Sequence, residues 1–317
     1  MLAPAGGHAM AEFVLGSVQL GLDYGAANRT GKPSRDAAVA LLRRAADCGV
    51  RQYDTARAYG DAEERLGEAL SGRPVFTVTK LSPLSALSET ASEAEVVAAV
   101  DASIAQSCAA LRQDHLDCLL LHRAAHITAF NGAIWRRLQQ GIAAGRIRRL
   151  GVSVQSPAEV AAALTEPAVQ HIQMPLNLLD WRWRDAGISD VLTARTDVVV
   201  HARSVFLQGL LAGNDPAIWP QIAGVDAAVV LNEIARLAAD LDRDGPADLC
   251  LAYARGQDFI AGVVIGMETE AQLERNLRLA LKRPLSAEEC RLVEDCLPRL
   301  PEQLLNPALW PKKPQPK

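Results

Sequence analysis

Residues 53–66 read YDTARAYGDAEERL. The stretch opens at the end of a short apolar run, so Asp54 closes a strand. Gly60 then bounds a loop, and a helical pattern follows from Ala62. Tyr59 stands in that loop, five residues after Asp54. The next apolar run ends in a lysine (Thr77, Val78, Thr79, Lys80), and the one after it in a histidine (Leu119, Leu120, Leu121, His122). An Asp, a Tyr, a Lys and a His at successive strand ends converge on one point, a set suited to proton transfer rather than packing.

Working outward, short apolar or β-branched runs recur over 13–19, 50–54, 75–80, 116–122, 147–152, 168–173, 198–202 and 260–265. Several are apolar at consecutive positions, the pattern of strands buried on both faces. Helical patterns with start signals lie between them. Ser34 precedes a periodic stretch through Val39, Leu41, Leu42 and Ala45, which Gly49 stops. Ser92 with Glu95 has the form of a capping box, and Ser156-Pro157 opens a helix with proline at its first position. Further helices fit 62–70, 133–144, 185–194, 247–254 and 270–281.

Eight strand-then-helix units, each too short for an independent domain, predict an α/β fold: a single (β/α)8 TIM barrel over 13–300. The interval before the last strand is roughly twice the others and holds an extra helix over 227–241. A C-terminal helix is expected over 286–296. Residues 1–12 read as a flexible extension, with Met10 an alternative start. Residues 301–317 read as a proline-rich tail whose last dozen residues fray. A doubly wound open sheet competes, but LGSVQLG at 15–21 has too few glycines at the wrong spacing for a dinucleotide fingerprint.

The 317 residues are 49% hydrophobic without a low-complexity block, so the chain reads as globular apart from its ends. A formal charge of -4 with mixed signs carries no basic footprint of a nucleic-acid binder. Arg146, Arg148 and Arg149 fall at a helix-to-strand junction, where cations complement a helix C-terminus. The six cysteines form no CxxC pair and read as buried free thiols in a reducing compartment. No His, Cys and Asp cluster has metal-ligand spacing. The start lacks a secretory pattern, and no run approaches the ~20 apolar residues of a membrane helix. The expectation is a cytoplasmic protein with a small-molecule partner and no nucleic acid or membrane. No heptad seam indicates an oligomeric state.

In a parallel barrel every strand C-terminus opens on one face, where active sites are built. An ordinary tyrosine keeps its proton up to ~10, and a nearby ammonium stabilises the phenolate. A carboxylate beside that lysine holds it in place and charged, and a histidine across the pocket hydrogen-bonds a carbonyl oxygen. Taken singly, Asp54 fits a turn cap, Tyr59 a rim aromatic, Lys80 a snorkelling chain and His122 a core histidine. Their order at three neighbouring strand ends is what argues for a site.

On these residues the chain resembles the aldo-keto reductase superfamily, from Gly16 to about Asn276. YDTARAYGDAEERLGEAL is similar to that family's strand-two signature, and TVTK and LLLH to its Lys-bearing and His-bearing strand ends. The resemblance implies a catalytic tetrad of Asp54, Tyr59, Lys80 and His122. It further implies NAD(P)H-dependent reduction of an aldehyde or ketone, with Tyr59 as general acid. GVS at 151–153 and IQMPLN at 172–177 resemble segments whose Ser and Gln contact the nicotinamide, which implies Ser153 and Gln173. ARS at 202–204, followed by QGLL, resembles the strand-seven cofactor loop and implies Arg203 and Ser204. GMET at 266–269 resembles the adenosine segment and implies Gly266, Gln272 and Asn276. The plainer reading of these polar residues is ordinary loop and cap chemistry.

Three departures accompany the resemblance. Val154 stands where the family often has Asn, and Arg203 where many members stack an aromatic ring on the nicotinamide. Gly266, Met267 and Gln272 offer no cation for a 2′-phosphate, with Arg275 or Arg278 as the nearby substitutes. NADP(H) is favoured over NAD(H), with the preference open. The rim is expected from Asp23, Tyr24, Arg57, 122–131, 181–184 and the segment after Gly209. Its arginines either favour a polar carbonyl such as a sugar or face solvent. Two rivals remain: a cofactor-binding regulatory or redox-sensing subunit with little turnover, and a lyase or isomerase using Lys80 as a Schiff base. The complete tetrad weighs against the first.

Overall fold

The computed structural model describes residues 11–311. Eight parallel strands close a barrel in chain order, and the eighth returns to the first. They are β1 Glu12–Gly16, β2 Gln52–Asp54, β3 Phe76–Lys80, β4 Cys118–Leu121, β5 Leu150–Ser153, β6 His171–Pro175, β7 Val199–Arg203 and β8 Gly262–Gly266. Between and around them run α1 Val18–Gly21, α2 Arg35–Asp47, α3 Ala62–Leu70, α4 Glu93–Leu111, α5 Ala133–Ala143, α6 Pro157–Leu164 and α7 Arg182–Asp185. The series continues with α8 Ile188–Ala194, α9 Ala227–Asp240, α10 Pro246–Arg255, α11 Glu270–Leu281, α12 Ala287–Cys296 and α13 Glu302–Leu305. This is the expected (β/α)8 barrel, with α9 as the extra helix before β8 and α12 after the barrel.

Local signals account for the helix starts. The Ser34 hydroxyl accepts from the Ala37 amide, and Ser156 accepts from Glu159 ahead of Pro157. Reciprocal capping boxes join Ser92 to Glu95, Thr269 to Gln272 and Ser286 to Glu289. From β2 onward the strands begin later than the apolar runs that announced them. Leu116 makes only an isolated bridge to Ile147 before β4 and β5 begin. At the other end β1 stops at Gly16, because Ser17 turns the chain into α1 and removes Gln19 from the strand.

Val78, Cys118 and Leu120 fill part of the barrel interior, with the buried imidazoles of His171 and His201 packed edge to face at 4.2 Å. The main core lies between the strands and the helical ring. The nineteen-residue α4 is long and apolar enough, by length and composition, to meet a membrane-span test, contrary to the sequence expectation. It packs between α3 and α5 and buries Val96, Val100 and Ile104. Cys118, Cys250 and Cys290 are buried, whereas Cys48 is exposed, contrary to its expected burial.

Both expected boundaries shift. Ala11 is buried and Glu12 already pairs in β1, so order begins within the supposed 1–12 extension, whose first ten residues lie outside those described. The tail also docks. Leu304 and Leu305 are buried, and the Trp310 indole donates to the Leu304 carbonyl at 2.8 Å. Apolar burial outweighs the proline-rich composition there; residues 312–317 lie outside those described. Leu304→Ala should therefore lower the unfolding free energy by about 2–5 kcal/mol, as buried Leu truncations do. Urea denaturation would measure it, and a change near zero would contradict docking.

Candidate active site

Strand register brings the sequence candidates together. Asp54 pairs with Val78, and Lys80 pairs with Leu120. Residues two apart share a strand face, so Lys80 follows Val78 inward and His122 follows Leu120. Lys80 is 1% exposed and Asp54 3%. The Lys80 Nζ donates to both Asp54 carboxylate oxygens at 2.8 Å and to the Thr55 carbonyl at 2.8 Å. Burial opposes its charge, but Asp54 and then Tyr59 outweigh burial and hold the ammonium above the ordinary lysine value. Removing one member of such a pair typically costs about 3–5 kcal/mol, because the other charge is left uncompensated.

Tyr59 lies directly against this pair. Its ring centroid is 4.9 Å from Lys80 Nζ and 5.8 Å from the His122 ring, edge to face. Its loop is held from several sides. The Arg57 amide donates to the Lys80 carbonyl at 3.2 Å, and the Tyr59 amide to Ala56 at 3.0 Å. The Arg57 guanidinium bonds Glu63 and Glu64, while buried Glu63 also accepts from the Thr79 hydroxyl at 2.6 Å. Gly60 has φ +57° and sits where a Cβ would be 2.3 Å from the Gly21 carbonyl oxygen, so glycine is required twice over.

His122 has no hydrogen-bond partner at Nδ1. Burial, then the charges of Lys80, Arg203 and Arg123, push its pKa down to about 3, so it is neutral near pH 7. Gln173 is fully buried and donates from Nε2 to Asp54 Oδ2 at 2.6 Å, leaving Oε1 without a partner. It braces the carboxylate rather than lining the open cleft, a position that the resemblance did not indicate.

A cleft of about 680 Å³ is lined by Asp54, Tyr59 and His122, by Ser153, Arg203 and Ser204, and by Gly266, Gln272 and Asn276. The loop after β7 has left-handed backbone at Ser204, Leu207 and Gln208, a cost that clusters at binding sites. Gly209 lets this loop lie on the loop after β1, since a Cβ there would be 2.5 Å from the Ala27 Cβ. The ion pair between Arg29 and Asp215, at 2.9 Å, joins the same two loops. At the far end, Gln272 Oε1 accepts from the Glu268 amide at 2.6 Å, which commits its carbonyl to the cap of α11. Asn276 makes no side-chain hydrogen bond, and Arg275 no ion pair, with any described residue, and both line the cleft.

Much of the expected rim is elsewhere. The Trp181 indole donates to the Leu300 carbonyl at 3.0 Å, Arg182 pairs with Asp180 at 2.7 Å, and Arg184 pairs with Glu294 at 2.7 Å. Together with Arg57, these arginines are bound to acids of the scaffold and face no substrate space. Tyr24 and the segment after Gly209 do line the cleft. Sequence reasoning missed Gln19, Asn28 and Glu63. Only Glu63 had a readable signal, its one-turn spacing from Tyr59 at the start of α3.

The donor set fits an extended dinucleotide. The cleft is roomy, the Ser153 and Ser204 hydroxyls and the free Asn276 amide offer polar contacts, and Arg275 on α11 supplies a cation.

A family model described as the Aldo/keto reductase family matches residues 12–298. The 6-dehydroglucose reductase of Novosphingobium aromaticivorans is 27% identical over 246 residues, 62% of this chain and 79% of that protein. Similar solved structures include an aldo-keto reductase from Bacillus halodurans in its holo form, at 22% identity and TM-score 0.72, covering 94% of this chain and 96% of that one. Another is the glycerol dehydrogenase of Gluconobacter oxydans, at 21% identity and TM-score 0.69, covering 90% and 91%.

Burial also leaves a pH signature. His122 and His201 are pushed down to about 3, and His171 well below its ordinary value. The unfolded chain binds these protons below ~6.5, whereas the folded chain does not until far lower pH. Stability should thus fall as pH drops from about 6.5, by up to about 1.4 kcal/mol per pH unit for each histidine. Urea melts between pH 7 and 5 would measure this slope, and a flat profile would contradict it.

Proposed function

The chain belongs to the aldo/keto reductase family, and on that premise we propose that it reduces a polar aldehyde or ketone to the alcohol, with Tyr59 as the acid. The observation that carries this reading is the Lys80 ammonium, clamped by Asp54 and lying 4.9 Å from the Tyr59 ring. A reduced nicotinamide dinucleotide, when bound, supplies the hydride. Tyr59 gives its hydroxyl proton to the carbonyl oxygen, and Lys80 stabilises the charge left on the phenol oxygen. Asp54 fixes Lys80, and Gln173 fixes Asp54. Neutral His122 has no proton to release near pH 7, so it orients the carbonyl through a hydrogen bond and leaves the acid role to Tyr59.

The Schiff-base alternative is disfavoured because Lys80 is held as an ammonium with three acceptors, so its lone pair is not available. Ser153, Arg203 and Ser204 would hold the nicotinamide end, with Gln173, expected there from the resemblance, braced on Asp54 behind the cleft wall, and Gly266, Gln272 and Asn276 would hold the adenosine end. Arg275 supports NADP(H), since it offers the 2′-phosphate a cation without an ion-pair partner among the described residues. A sugar-like substrate is supported by the relative named a 6-dehydroglucose reductase and by the polar lining from Tyr24, Asn28 and Arg203.

Tyr59→Phe should lower kcat by about 100-fold or more, the usual scale for losing a general acid. Dinucleotide affinity should stay within about twofold, because only a hydroxyl is removed. Steady-state assays with sugar, aliphatic and aromatic aldehydes, each with NADPH and NADH, would measure both points. Turnover surviving within a few-fold would refute the acid assignment, and selective use of bulky apolar ketones would refute the polar substrate.

A further inference from the structure

Most charges along the cleft are compensated. Lys80 is neutralised by Asp54, Arg29 by Asp215, and His122 is uncharged near pH 7. Glu268 and Arg275 lie toward the α11 end. Arg203, which lines the same cleft as Tyr59 and lies close enough to His122 for its charge to act on that imidazole, makes no ion pair with any described residue. Its half-buried guanidinium is fixed by neutral acceptors instead. Nη2 donates to the Val154 carbonyl at 3.0 Å and to Gln155 Oε1 at 2.9 Å, and Nη1 to the Ser204 hydroxyl at 3.4 Å. These bonds hold the cation in place without cancelling its charge. Val154 contributes through its main chain, so the absence of Asn at that position leaves this contact intact.

Resting on the function proposed above, we infer that Arg203 discriminates between the redox forms of the dinucleotide, weakening the hold on the oxidised form. A hydride donor must reach the carbonyl carbon whose oxygen meets Tyr59 and His122, so the nicotinamide lies at the Arg203 end. The reduced ring is neutral there and the oxidised ring is a cation. Both forms carry the same phosphates, whose attraction to Arg203 cancels when the two affinities are compared. What remains is repulsion between guanidinium and pyridinium, in a site less screened than water.

In carbonyl reduction two electrons and a hydrogen nucleus leave the reduced ring for the carbonyl carbon, and the Tyr59 proton goes to the oxygen. The new positive charge stays on the ring, beside Arg203. Release of the oxidised cofactor is thereby favoured, at some cost in driving force for the hydride step. A tenfold affinity difference corresponds to a rise of about 30 mV in the potential of the bound two-electron couple.

The test is binding rather than turnover. Dissociation constants for NADPH, NADP+, NADH, NAD+ and ADP-ribose would be measured by calorimetry on the wild-type chain, Arg203→Gln and Arg203→Lys. The oxidised forms should bind about tenfold more weakly than the reduced ones in the wild type, an order of magnitude set by like charges at short range. Arg203→Lys should keep most of that ratio, and Arg203→Gln should shrink it at least about threefold. ADP-ribose affinity should change much less. Equal wild-type affinities for both redox forms would overturn the inference, whether or not a variant folds, while leaving the reductase reading intact. So would a uniform loss for all five ligands in Arg203→Gln, which would assign Arg203 to the phosphates. No binding of any dinucleotide would overturn both.

Discussion

The buried ion pair between Lys80 and Asp54 is the constraint on which the rest of the site depends. Two opposite charges lie almost wholly out of water, which is tolerable only because their hydrogen bonds are complete. The lysine spends its three donors on the carboxylate and the Thr55 carbonyl, and Gln173 adds a bond to Asp54. Such a pair contributes little net stability compared with apolar residues of the same volume. Its value is positional: it fixes a full positive charge against the face of Tyr59 and prevents that charge from being lost by deprotonation.

The barrel supplies the conditions for that pair. Parallel register puts Asp54 and Lys80 on the inward faces of β2 and β3 with His122 just past the end of β4, and the Gly60 turn carries Tyr59 over them. The scaffold behind is anchored by charge as well as by apolar packing, with Glu63 linking Thr79 of the lysine strand to Arg57 of the tyrosine loop. Across the cleft the electrostatics are reversed. His122 is stripped of charge by burial and neighbouring cations, while Arg203 keeps a charge that no described acid neutralises. One side of the site thus holds a phenol beside a clamped ammonium, and the other pairs a neutral imidazole with an unneutralised guanidinium.

Much of this was legible from local sequence. Strand ends are marked by polar residues closing apolar runs, so Asp54, Lys80 and His122 could be placed at one face before any fold was seen. Helix starts were equally readable, because caps are encoded within four residues, as at Ser92 and Glu95. Contacts distant in sequence were not. Nothing near Gln173 reveals that its amide reaches Asp54, 119 residues away. Arg184 looks like part of a polar rim until its acid, Glu294 of a distant helix, is in place. Gln272 carries two signals at once, a cofactor position by resemblance and a capping residue by spacing, and its carbonyl serves the cap. Composition misled at the tail, where two leucines outweigh the prolines around them.

The central claim is that Tyr59 and Lys80 act as one proton-delivering unit. Its most direct test is single-turnover hydride transfer in Tyr59→Phe, Lys80→Met and the double variant, followed by loss of reduced-nicotinamide absorbance. Residues that act as a unit are strongly non-additive. The double variant should therefore be no slower than the slower single variant, within about threefold. A double variant whose rate loss equals the product of the two single losses would show two independent contributions and contradict the claim.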